Sequence, residues 1–166
     1  MSVIIRAAAA SDMDAIAHIY AHHVNHGTGT FETEPPDISE IGRRWTEVTA
    51  RGLPWLVADD GGEVVGYAYA APYRPRLAYR HTVEDSIYVR ADRLGAGLGR
   101  LLMPALITAT QACGMSQMIA VIGDSGNQAS IHLHRRFGFQ DAGLLKDVGF
   151  KFGRWLDTVF MQRSLL

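Results

Sequence analysis

The most chemically suggestive stretch of the 166-residue chain is Arg93-Leu94-Gly95-Ala96-Gly97-Leu98-Gly99-Arg100. It lies between an alternating apolar run that ends at Val89 and a helical repeat that begins near Leu98. Backbone amides at a helix N-terminus point outward without partners and carry about half a positive charge, and glycines let a phosphate approach the main chain closely. The chemistry this predicts is a pyrophosphate cradle. A Walker loop would end in Gly-Lys-Ser/Thr, but Gly99 is followed by Arg100 and Leu101, which excludes an ATP-binding loop of that kind. A dinucleotide fingerprint needs an acid about twenty residues on, where Ile119 stands without an acidic neighbour.

A second candidate is Pro72-Tyr73-Arg74-Pro75-Arg76-Leu77-Ala78-Tyr79-Arg80-His81, three arginines and two tyrosines just before Glu84. Guanidinium groups hold carboxylate or phosphinate oxygens through two parallel charge-assisted hydrogen bonds, so this segment reads as a clamp for an acidic, amino-acid-like molecule or as a solvated loop. Glu84 and Asp85 are neighbours on a strand; alternation sends them to opposite faces, so they do not form a carboxylate dyad. Asn127 and Ser130 read locally as helix caps, and His134 as a lone helix histidine. His18, His22 and His26 share one helix face with His23 beside them, a spacing that fits a zinc pair, but no neighbouring acids suggest metal-activated water, and no metal is expected. Cys113, the single cysteine, lacks a histidine partner and reads as an inert thiol.

The elements that must position these residues follow from periodicity. Val3 to Arg6 reads as a strand, and Ser11 as the cap of a helix whose apolar positions are Ile16, Ile19, Tyr20 and Val24. After the irregular segment from Phe31 to Asp37, a helix over roughly 38 to 51 is capped by Asp37 or Ser39. Residues 55–59 and 63–70 form a hairpin around Asp59-Asp60-Gly61-Gly62, and Thr82 to Val89 is a further strand. A helix from about Leu98 to Gly114, a strand from Met118 to Ile122, a helix from Asn127 to Phe137 and strands around a turn region Gly149 to Arg154 complete the chain.

Gly97-Leu98-Gly99 after Ile87-Tyr88-Val89, followed by Asn127-Gln128-Ala129-Ser130 and Leu133-His134-Arg135-Arg136-Phe137-Gly138-Phe139, resembles the signature of the GNAT superfamily of acetyl-CoA-dependent N-acetyltransferases in order and spacing. Within it, Thr82-Val83-Glu84, His134 and the tail from Gly149 to Asp157 resemble the phosphinothricin and methionine sulfoximine N-acetyltransferase group, and the resemblance spans nearly the whole chain. One departure stands at Leu94, where the superfamily usually has Gln or Arg; Arg93 sits one step early.

The resemblance implies a single α/β domain over residues 1–166 in the GNAT fold, with a mixed, mostly antiparallel central sheet flanked by helices. It implies acetyl-CoA as cosubstrate, held by Ile87, Tyr88, Val89, by Leu94, Gly95, Ala96, Gly97, Leu98, Gly99 and Arg100, and by Asn127 and Ser130. Glu84 stands in register with the family's general base, and His134 stands where most members place a tyrosine beside the departing thiolate. Phe31, Arg74, Arg76, Glu84, Asp85 and Ser86 are the implied acceptor-binding residues, and a homodimer is implied as well. A base matters because an amine must lose its proton before attacking a thioester. At pH 7 that costs about 1 kcal/mol for an α-amine of pKa about 7.7 to 8, and ~4.6 kcal/mol for a lysine-like amine near about 10.4. Transfer should be direct, since no Ser or Cys nucleophile with a suitable base stands out.

Composition closes off other classes. A hydrophobic share of 48% with 20% charged residues is that of a globular domain, and a formal net charge of -1 supplies no global attraction to nucleic acid or anionic membranes. No run is apolar for long enough to span a membrane, and without a signal-like start the cytosol is the simplest address. The favoured acceptor is a small amino acid analogue of the phosphinothricin or methionine sulfoximine kind. The alternatives are a protein N-terminus, lysine, polyamine or drug amine as acceptor, or a non-catalytic acyl-CoA sensor, which would not need both Glu84 and His134.

Overall fold

A computed structural model describes residues 2–166. Its strands are β1 (Ile4–Ala7), β2 (Trp55–Asp60), β3 (Glu63–Pro72), β4 (Thr82–Val89), β5 (Gln117–Gly123), β6 (Gln140–Lys151) and β7 (Arg154–Ser164). Its helices are α1 (Met13–His26), α2 (Ile38–Ala50), α3 (Leu98–Ala112) and α4 (Gln128–Arg136). The strands form one sheet in the order β1-β2-β3-β4-β5-β7-β6. Every neighbouring pair is antiparallel except β4 and β5, which run parallel with α3 as their crossover.

Local chemistry explains most of the boundaries. Gly61 and Gly62 adopt φ of 64° and 96° between β2 and β3, and Asp59 Oδ1 accepts from the Gly62 amide at 2.7 Å. Asp37 caps α2, its carboxylate accepting from the Glu40 amide at 2.8 Å. Two expectations need correction. Ser11 does not cap α1; a 3-10 turn at Ala10–Asp12 precedes the helix, because the Asp12 carboxylate is drawn to the Arg6 guanidinium at 2.8 and 2.9 Å and to the Ala9 amide at 2.7 Å. Gly149 belongs to β6, paired with Leu156, and the turn is only Phe152-Gly153, with φ of 53° and 72°.

The sheet is covered on both faces. One face carries Trp55, Tyr67, Tyr69 and Tyr88, with Tyr67 and Tyr88 in register on adjacent strands and Tyr20 of α1 edge-on to Tyr88 at 5.0 Å. The other face packs on α3: a Cβ at Gly66 would lie 3.3 Å from the Leu102 side chain, and Leu102, Met103 and Leu106 are fully enclosed. The far edge differs. Leu144, Leu145, Val148, Phe150, Phe152 and Trp155 of the β6–β7 arm are all exposed, an apolar strip that nothing in the monomer covers. Among the described residues, no helix is long and apolar enough to cross a membrane.

Candidate active site

The site begins where two strands part. Pairing of β4 with β5 runs from Thr82↔Gln117 to Asp85↔Ala120 and then stops, although β4 continues to Val89 and β5 to Gly123. Ser86 to Val89 therefore present a free backbone edge, which an extended, amide-bearing ligand can complete as an added strand would. The gap opens into a cavity of about 470 Å³, walled by this edge, by the loop at 27–29 and by Asn127, Ser130 and His134 of α4. His23 of α1 closes one end, with Nε2 2.7 Å from Val89 O, and burial pushes its imidazole toward the neutral form.

A second cavity of about 620 Å³ continues along the glycine segment between Arg93 and Arg100. Gly97 is the N-cap of α3 and holds φ of 83°, the left-handed region, which turns the first amides of the helix toward this space. Gly99 works differently: a Cβ there would lie 2.9 Å from Leu133, so this glycine lets α3 and α4 close together. Arg93, one step early in the motif, is engaged by Asp60, while Leu94 is exposed on the rim. Among the described residues, Arg100 and Arg136 supply free guanidinium groups to this groove, with His132 beside them. Asn127 serves as a helix cap, its Oδ1 accepting from the Ser130 amide at 3.3 Å, and both residues also face the first cavity.

The two strand acids do face opposite ways. Glu84 shares the tyrosine face with Ser86, which pairs with Tyr69, and it is half-buried, its carboxylate without a hydrogen-bond partner among the described residues. Burial raises its carboxyl above the usual range, helped by the nearby charge of Asp85 and opposed by the Arg74 guanidinium. Arg74 lies over the Tyr73 ring at 5.0 Å and is exposed, as is Arg76, so the basic loop stands open above Glu84. Asp85, expected among the acceptor-binding residues, instead points to the α3–α4 side, where its Oδ2 accepts from His134 Nε2 at 2.7 Å. The His134 Nδ1 donates to Ser130 O at 2.7 Å, so both ring nitrogens are engaged.

Phe31 is wedged between strands. A Cβ on Gly149 would lie 2.4 Å from its ring and one on Gly123 2.8 Å, so these two glycines make the slot that the aromatic fills. Lys151, which sequence reasoning passed over, is buried and donates from Nζ to Gly27 O and Thr30 O, each at 2.8 Å. It ties the loop that walls the cavity to β6, and burial lowers its ammonium pKa. Thr28 Oγ1 adds a bond to Asp124 at 2.7 Å, and Tyr20 joins Thr30 and Glu32, the latter paired with Arg44. The histidines of α1 form no metal-ligating group of three or more with other such side chains among the described residues.

Residues 5–160 match the acetyltransferase (GNAT) domain family. The chain belongs to the GNAT acetyltransferases. It is similar to a phosphinothricin N-acetyltransferase of Alcaligenes faecalis, 53% identical over 97% of this chain and 82% of that protein. It is also similar to an L-methionine sulfoximine/L-methionine sulfone acetyltransferase of Pseudomonas aeruginosa, 47% identical over 99% of this chain and 96% of that one. Among solved structures, a GNAT superfamily phosphinothricin acetyltransferase from Sinorhizobium meliloti in complex with acetyl-CoA superposes with a TM-score of 0.95, at 46% identity, covering 99% of this chain and 89% of that chain. This GNAT enzyme is thus an acetyl-CoA-dependent N-acetyltransferase. Its residues fit the coenzyme: the unpaired β4 edge matches an amide-bearing arm, and the left-handed Gly97 at the head of α3 matches a pyrophosphate.

Proposed function

We propose that this GNAT acetyltransferase moves the acetyl group of acetyl-CoA directly to the α-amine of a small, acidic amino acid analogue of the phosphinothricin or methionine sulfoximine kind. The observation that carries the reading is the placement of Glu84 beside Arg74 on the tyrosine face of β4. Arg74 has no carboxylate partner among the described residues, so its fork is open to an anionic group of the acceptor while Glu84 faces the amine. Arg76, Ser86 and the wedged Phe31 complete this acceptor wall.

In this reading Glu84 takes a proton from the amine, directly or through a water, and the nitrogen attacks the thioester carbonyl. The carbon–sulfur bond then breaks with its electron pair on sulfur. His134, on the opposite side of the strand, gives that thiolate a proton, so that coenzyme A leaves as the thiol. The amides at the Gly97 end of α3, with Arg100, Asn127 and Ser130, hold the coenzyme so that its thioester lies in the gap between β4 and β5.

Thiol release from acetyl-CoA, followed with a thiol reagent, tests the reading against L-phosphinothricin, methionine sulfoximine, methionine sulfone, ordinary amino acids, polyamines and a lysine peptide. Saturable turnover with the sulfoximine or phosphinothricin is expected. Turnover confined to polyamine or peptide would replace the acceptor class, and acetyl-CoA binding with no turnover across the panel would favour an acceptor outside it or the sensor reading. The exposed apolar strip of the β6–β7 arm supports a homodimer in which two copies cover each other's strips. Light scattering should then give twice the mass of the 166-residue chain, and a monomer mass at micromolar concentration would rule that out.

A further inference from the structure

Asp85 is the last β4 residue paired with β5 before the strands separate, so its side chain sits at the root of the cavity. The carboxylate and the His134 ring are both almost fully enclosed, with side-chain exposures of 1% and 3%. Phe139 covers the ring edge-on at 4.8 Å. Asp85 Oδ2 faces His134 Nε2 and Ser130 O faces Nδ1, each at 2.7 Å, while Asp85 Oδ1 has no partner among the described residues. A neutral imidazole has one N–H and one lone pair, and a lone pair set 2.7 Å from a carboxylate oxygen in a dry site is repelled. With the Asp85 carboxyl ionised, a ring carrying both protons satisfies both contacts.

We propose that Asp85 is a positioning residue of the transferase reaction: it keeps His134 doubly protonated and aimed at the root of the cavity, so that a proton is in place before the thiolate forms. The proposal rests on the reading that His134 serves the departing sulfur. When the carbon–sulfur bond breaks, sulfur keeps the electron pair and takes the Nε2 proton; the ring is left neutral with Nδ1–H still on Ser130 O, and a proton from water restores it. Burial by itself would favour a neutral ring, and the Asp85 charge with the Ser130 carbonyl overcomes this. Among the described residues, the other titratable groups around the pair are Glu84 on the opposite face of β4, whose own carboxyl feels the Asp85 charge, and His23, Tyr88 and Asp124 on the cavity wall; β5 lines it with Ala120, Val121 and Ile122, none of which titrates.

The ring state can be read without turnover. Nitrogen-15 NMR of the wild-type protein, with His134→Gln used to assign the signals, should show both His134 nitrogens protonated at pH 7 and losing a proton only above the ordinary imidazole range. In Asp85→Asn the deprotonation should fall by about 1 to 3 pH units, the size of effect that an opposite charge exerts at contact. With acetyl-CoA and a good acceptor, the same variant should lose about tenfold or more in kcat, its alkaline limb should move to lower pH, and its coenzyme dissociation constant should stay unchanged. A neutral His134 ring at pH 7 in the wild type overturns the proposal, even if Asp85→Asn fails to fold. An unmoved titration in a folded Asp85→Asn does the same. Because the NMR measurement needs no substrate, failure of the acceptor panel and failure of this inference are told apart.

Discussion

Glu84→Gln is expected to lower kcat by about 10²-fold at neutral pH, within the range that a positioned general base contributes. The deficit should deepen as the pH falls. Without the carboxylate only acceptor that is already neutral reacts, and that fraction drops tenfold per pH unit below an amine pKa of about 8. With the carboxylate present, the bound ammonium can be deprotonated in place until Glu84 itself takes up a proton. Its raised pKa places that loss above the ordinary carboxylate range. The same shift fixes the sign of the stability effect. A carboxyl whose pKa is higher folded than unfolded favours the neutral form in the folded state, so its contribution is present at low pH and is lost as the pH rises through the folded value. The uncharged glutamine variant should therefore melt no lower than the wild type at pH 7, which separates a chemical defect from misfolding. Rate–pH profiles and thermal melts of both proteins check this, and equal rates at every pH would remove Glu84 from the reaction.

Gly97→Val is expected to weaken acetyl-CoA binding by about 5- to 30-fold with little effect on the acceptor KM once coenzyme saturates. The cause is the backbone, since a Cβ at Gly97 meets nothing within 4 Å while φ stands at +83°. A left-handed conformation costs an ordinary L-residue about 1–2 kcal/mol, which converts to that range of dissociation constants if the loop must hold this shape to present the α3 amides. Gly97→Asn is the control, because asparagine tolerates the left-handed region far better than a β-branched residue. Titration calorimetry should rank wild type, asparagine and valine in that order of affinity. Equal affinity for all three would detach coenzyme binding from the turn at Gly97.

Much of this arrangement was legible in the chain itself, and each part for a local reason. The cradle could be placed because positive φ and a free helix N-terminus are properties of Gly95, Gly97 and the residues just after them. Glu84 and Asp85 could be assigned to opposite faces because strand alternation is strictly local. Gly99 carries a second constraint that its spacing does not show: it lines the groove, and its missing Cβ also makes room for Leu133, thirty-four positions away. Nor does the sequence show what holds Arg93, one step early in the motif: Asp60, at the end of β2, engages it.

The sequence by itself determined the family, through motifs spread along the chain, and the order of the elements, the glycine turn at α3 and the strand face on which Glu84 stands, because each of these last three depends on residues within a turn or a strand of one another. Tertiary structure alone decided that β4 and β5 part after Asp85, that Asp85 meets His134 across forty-nine residues, and that Lys151 reaches back more than a hundred residues to the carbonyls of Gly27 and Thr30. No periodicity encodes such contacts. They arise when a buried charge, which cannot remain unpaired in a dry interior, is satisfied by whichever polar group the chain's path brings within reach.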